Sequence, residues 1–294
     1  MKEKVHEATT GHAPSNTTAH SASHSVHEVD SGSLFVASIM VFLILGQLIK
    51  HLSEWTKIPY TPLVCLFGLC LGAIEQIATF ELTNTWTTMD PNFMLMLFLP
   101  ALIFESAFSV DYHTFKMQLG KILILAFPLL LAATFTTAAA VYYILGHSVE
   151  LGWYGSVLFG AIISATDPVA VVSLLKELGT SKRISTLIEG ESLLNDGTAV
   201  VIFAICKDLV TPGKVVSRSD MGVKFVRLSV CGPLLGLAFA IVMVFWLSRI
   251  HNKPVLEANL TVTFAYLTFY TAERPEVHVS GILAIVCLGL YMAR

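Results

Sequence analysis

Five acids stand where an apolar chain should not carry them. Glu105 lies within Phe98-Leu99-Pro100-Ala101-Leu102-Ile103-Phe104-Glu105-Ser106, and Asp167 within Ser164-Ala165-Thr166-Asp167-Pro168-Val169-Ala170. Glu189, Glu191 and Asp196 share the segment Glu189-Gly190-Glu191-Ser192-Leu193-Leu194-Asn195-Asp196-Gly197. Carboxylates inside apolar spans are costly, so they mark ion and proton paths. Ser192 and Asp196 are four residues apart and share a helix face, with Asn195 beside them. A carboxylate, a hydroxyl and an amide oxygen are hard ligands, suited to a small alkali cation. Glu191 comes five residues before Asp196 and faces another side, where it is expected to pair with a cation from a different span. Glu189, near the end of its run, reads as interfacial. Pro168 lacks an N–H and clashes with the preceding turn, so a helix should break or kink there. Irregular backbone at Thr166-Asp167-Pro168 is tolerated at membrane depth only inside protein or along a wet cavity. A broken helix beside a carboxylate is one way to build an ion site near the midplane. A plain proline kink capped by Asp167 is the alternative.

The elements that must hold these groups follow from composition. Of 294 residues, 54% are apolar and 13% charged, against about 25% charged in an ordinary soluble domain. The apolar residues fall in runs near 33–52, 58–79, 91–109, 119–145, 153–175, 184–209, 222–248, 256–272 and 277–293. A run of about 20 such residues crosses the hydrocarbon layer as a helix. Barrel strands would be half as long and would alternate. The expected fold is an all-α polytopic membrane protein of about nine transmembrane helices. Gly68 and Gly72, and Gly232 and Gly236, have the spacing that lets two helices approach closely. The five cysteines lie inside the apolar runs and read as packing residues, with no zinc spacing among them. No basic stripe interleaved with aromatics suggests nucleic acid.

Residues 1–31 are polar, rich in Ser, Thr and His, and read as a disordered tail without a secretory signal. The tail histidines could bind a metal or sense pH, but a solvated tail is the simpler account. Asn16-Thr17-Thr18 is a glycosylation triplet that matters only if the tail faces outward. Basic residues follow the first, third, fifth and seventh runs, and acids fill the loops between. The excess of Lys and Arg marks the cytoplasmic face, which puts the N-terminus outside or in a lumen. One segment disagrees: Lys207, Lys214, Arg218, Lys224 and Arg227 fall on the outer side.

Ala165-Thr166-Asp167-Pro168-Val169-Ala170-Val171, followed by Gly190-Glu191-Ser192-Leu193-Leu194-Asn195-Asp196-Gly197, resembles the signature pair of the sodium/proton exchanger family. The Glu105 segment and Leu174-Leu175-Lys176-Glu177-Leu178-Gly179 resemble the plant salt-tolerance exchangers and their bacterial relatives, and Val279-Ser280-Gly281-Ile282-Leu283 also fits. The likeness runs from about 34 to 294, all but the tail. It implies a fold of inverted repeats. Residues 32–210 would form the first six-helix repeat, and 211–294 would begin the second half. It also implies helices beyond Arg294, bearing a second broken helix and the arginine that pairs with Glu191. Residues 1–294 alone are therefore expected not to transport. In the same likeness Asp196 is the ion-binding carboxylate, Asp167 and Thr166 contribute from the break, and Ser192 and Glu105 lie nearby. Asn195 holds Asp167, and an Asn before the Asp goes with electroneutral exchange.

The expected function is exchange of a monovalent cation, Na⁺ before K⁺, for a proton by alternating access. One carboxylate that takes either ion, at Asp196 with Asp167, moves no net charge. No covalent step is needed, so the chain is expected to be a transporter and not an enzyme. It should need no cofactor beyond the transported Na⁺ or K⁺ and H⁺. A K⁺/H⁺ exchanger and a transport-inactive membrane subunit are the alternatives. Expected partners are membrane lipids and either a second copy or a chain supplying the further helices, with no nucleic acid. The plasma membrane is the expected site, with an organellar membrane as alternative.

Overall fold

A computed structural model describes residues 17–56, 58, 60–75, 89–144, 152–168, 171–172, 174–175, 178–211, 217–250 and 252–294. Among these residues every regular element is helical. In chain order they are α1 (Thr17–Thr56), α2 (Tyr60–Glu75), α3 (Pro91–Ser109), α4 (Tyr112–Ile124), α5 (Leu130–Ile144), α6 (Trp153–Ser164), α7 (Lys182–Val210), α8 (Arg218–Val226), α9 (Gly232–Leu247), α10 (Pro254–Glu273) and α11 (Gly281–Met292). A π-helical turn, Leu125–Leu129, joins α4 to α5 and contains Pro128, whose missing N–H favours the widened hydrogen-bond register. A second, Arg227–Cys231, joins α8 to α9. Four stretches are long and apolar enough to cross a membrane: Phe35–Thr56, Pro91–Ser109, Tyr112–Ile144 and Ser219–Leu247. Three shorter helices, Pro62–Ile74, Trp153–Ser164 and Gly281–Met292, are also apolar.

Helix α1 begins at Thr17, so 17–31 is helical and not the disordered tail read from composition; residues 1–16 lie outside the described residues. A helix nucleated by the apolar run after 32 propagates at little cost per residue, and 17–31 holds neither Pro nor Gly to stop it.

The chain forms two compact units, Met1–Asp90 and Pro91–Arg294. In the first, α1 and α2 touch and Ser53 Oγ donates to the Ile58 carbonyl at 2.6 Å, closing the turn between them. In the second, α11 is the hub and packs on α9, α3, α10 and α7. Its core joins Ile285 and Leu288 of α11 to Phe104 of α3, Leu193 of α7, Met243 of α9 and Phe269 of α10. The compact units divide at Asp90, and α11 interlocks with helices from both sides of position 210.

Candidate functional site

Helix α6 stops where the proline argument requires. Ala165 already has extended backbone (φ −76°, ψ 106°), and residues 165–168 are not helical. The chain is helical again at 171–172, with Val172 N–H donating to the Pro168 carbonyl at 2.8 Å. Proline starts that turn without loss, since the first amides of a helix have no partner in any case.

Helix α7 passes this break. Its entry is fixed by three contacts with α4. Gly190 lies against Phe115 and Ile122, where a Cβ would come within 2.8 and 2.9 Å of their side chains. Gln118 Nε2 donates to the Arg183 carbonyl at 2.8 Å. Lys182 Nζ meets Asp111 Oδ2 at 2.7 Å. Asp111 also caps α4, accepting from His113 N–H at 3.1 Å and Thr114 N–H at 3.4 Å. The Lys182 ammonium first, then the Thr114 amide, hold its carboxyl below the ordinary value of 3.8.

So placed, α7 brings Ser192 Oγ to the Thr166 carbonyl at 3.4 Å and Asn195 Nδ2 to the Ser164 carbonyl at 3.5 Å, both at the broken segment. Ser192 and Asn195 are buried. Asn195 Oδ1 and Ser164 Oγ are buried without a hydrogen-bond partner among the described residues, so their lone pairs remain available to a donor or cation. Half-buried Asp196, one residue on, lines a cavity of about 300 Å³. The other walls are apolar: Leu95, Leu99, Leu102 and Ile103 of α3, Ala161 and Ile162 of α6, and Ile282 of α11. Among the described residues, Asp196 is the one ionisable side chain in that lining. Asp167 lies on the broken segment that α7 passes, and Glu191 lies five residues before Asp196 on α7.

The remaining expected residues are placed less centrally. Thr166 and Asp167 are exposed, and Glu191 and Glu189 are half-buried. Pro168 is half-buried at the end of the break. Glu105 is exposed and outside the cavity lining. The α3 stripe at 95, 99, 102 and 103 faces the cavity, and position 105 lies about a quarter-turn away. Among the described residues no three His, Cys, Asp or Glu side chains converge as a metal cluster. Any cation here would rest on one carboxylate with hydroxyl and carbonyl oxygens.

Sequence reasoning missed a second polar group at the far end of α7. Lys224 Nζ donates to Asp208 Oδ2 at 2.5 Å and to the Ala204 carbonyl at 3.0 Å. Arg227 donates to the carbonyls of Val277 at 2.6 Å and Glu276 at 3.3 Å. The visible signal was Asp208, twelve residues after Asp196 and facing the run of basic residues that disagreed with the loop-charge pattern.

The transmembrane sodium/hydrogen exchanger family matches residues 35–294. Sodium/hydrogen exchanger 7 of Arabidopsis thaliana is 41% identical over 258 residues, covering 85% of this chain and 22% of that protein. Sodium/hydrogen exchanger 8 of the same plant is 39% identical, over 85% of this chain and 34% of its own length. The Na⁺/H⁺ antiporter ApNhaP of Aphanothece halophytica is 31% identical, over 88% of this chain and 47% of its own. The chain thus spans less than half the length of each of these relatives.

Proposed function

Because the chain belongs to the sodium/hydrogen exchanger family, we propose that it takes part in exchanging Na⁺ for a proton at Asp196, one for one. The observation that carries this reading is the position of Asp196 as the sole ionisable group among the described residues of an apolar cavity, against a broken helix. A bare carboxylate in such walls is costly. It is relieved by a proton or by a small cation, and the two cannot occupy it together. That competition is the exchange. The Ser192 hydroxyl and the Thr166 carbonyl, 3.4 Å apart, supply neutral oxygens beside it, while Asp167 and Glu191 add negative potential that attracts a cation.

Each of the nine apolar runs contains helix among its described residues, and in this reading each one spans the bilayer. Helix α10 carries four threonines. Thr261, Thr263, Thr268 and Thr271 donate to the carbonyls four residues back, so these hydroxyls need no water.

The test is Asp196→Asn in proteoliposomes carrying the whole protein, read by a pH dye after a Na⁺ jump. Asparagine keeps the shape but takes neither a proton nor the cation's charge. Exchange should fall at least about 100-fold, the scale of losing a charge partner in a water-poor site, with insertion and elution profile unchanged. Wild-type rates in this variant would refute the assignment, and a K⁺ jump in the same vesicles measures the ion preference.

A further inference from the structure

We propose a second cation site at Asp208, which the ammonium of Lys224 occupies in this structure as a tethered stand-in for the transported ion. The proposal rests on the exchange reading above. Lys224 Nζ is held by a carboxylate oxygen at 2.5 Å and by the Ala204 carbonyl at 3.0 Å. These are the hard oxygens that an alkali cation also uses. Both side chains are largely enclosed, at 28% and 21% exposure. They line a cavity of about 450 Å³ between the end of α7, α8 and the segment before α11.

This cavity is connected to the first by the spacing of α7. Asp196, Val200, Ala204 and Asp208 recur every four residues, a stripe that winds slowly along the helix. Val200 lines both cavities, and the residues between the two carboxylates are small. The twelve-residue interval is about 18 Å of helix, so Asp208 stands at the mouth of a path that ends at Asp196. The second basic residue in the cavity wall is otherwise engaged. Arg227 is bonded to the Val277 and Glu276 carbonyls, while Lys224 is paired with Asp208 in a wall that also carries Asp220, Glu273 and His278. A four-carbon stem with one compact charge can swing away from its carboxylate. A cation arriving at this face displaces Lys224, rests on Asp208, and then moves along the stripe.

The competing account is a static clamp between α7 and α8. The two differ in which constant they move. In oriented proteoliposomes of the whole protein, Na⁺ is varied on one face at a time. Lys224→Gln should lower the KM for Na⁺ about threefold at the face where α7 ends, and Asp208→Asn should raise it by a similar factor, the scale of a partly exposed ion pair. The KM at the opposite face and the maximal rate should stay within about twofold, a smaller change than that ion-pair effect. Equal changes at both faces, or none, would overturn the site in favour of the clamp. If Lys224→Gln does not fold, Lys224→Arg serves. Its planar fork grips a carboxylate through two bonds and yields less readily, so KM at that face should rise, and an unchanged value would equally overturn the proposal. Wild-type exchange that is lost in Asp196→Asn but shows no KM change in these variants removes only the second site. No wild-type exchange at all removes both readings.

Discussion

Gly236 of α9 faces the backbone of α11. A Cβ there would collide with the Ala284 carbonyl oxygen and lie 2.7 Å from its carbonyl carbon. Gly232, one turn earlier, also faces α11's entry, where a Cβ would come within 2.9 Å of the Ser280 carbonyl oxygen. Gly68 and Gly72 have the same sequence spacing, but a Cβ at either meets nothing within 4 Å. Gly236→Ala should therefore destabilise the protein by about 1–3 kcal/mol, the usual cost of overpacking, seen as a lower midpoint in detergent thermal unfolding. Gly72→Ala should leave that midpoint unmoved or slightly raised. The spacing of small residues is legible in a sequence because it repeats with the helix. Which pair is used depends on the backbone opposite, and that partner is remote in the chain. The same contrast holds at the site. Asp196, Ser192 and Thr166 were legible as a group because adjacent motifs carry them. The apolar cavity was not, because α3, α6, α7 and α11 each supply part of it.

At the scale of elements, the break after α6 was the most legible feature, since proline carries its own steric cause. Pro168→Ala removes that cause, and the helix should run on through 165–168. Thr166 would then draw its carbonyl into the helical ladder and away from Ser192. The expected result is exchange reduced by about tenfold or more with a small gain in helical circular dichroism. Unchanged exchange would mean that the break is held by other contacts. The Asp111 cap was overlooked because its strongest partner, Lys182, is 71 residues away. Its carboxyl is held below 3.8 in the fold, so its contribution is complete above that value and disappears as pH falls through the lowered one. Asp111→Asn, which can still cap but cannot pair with Lys182, should lower the thermal midpoint at pH 7. The gap should close as the pH is taken below about 3.8 toward the lowered value, where the wild-type carboxyl is protonated too.

For the whole molecule, composition already specified a multi-pass helical membrane protein, because a long apolar run has few other fates. Orientation was harder to read, since the loop-charge pattern carried one contradiction. In the structure, two of the five offending residues are engaged in place: Lys224 is paired with the Asp208 carboxylate, and Arg227 donates to main-chain carbonyls. Charges spent on internal partners pull less on the choice of face, so the outward N-terminus stands as the expected topology. Ser21→Cys, in a chain whose own cysteines are replaced, should react with an impermeant maleimide from outside intact cells, and labelling only after permeabilisation would reverse the assignment. The hub position of α11 also bears on how the protein is made. Its seat is built from α3, α7, α9 and α10, all of which leave the ribosome earlier. During synthesis those helices must assemble around an unfilled seam, which lipid acyl chains or an insertion chaperone would have to cover until α11 arrives.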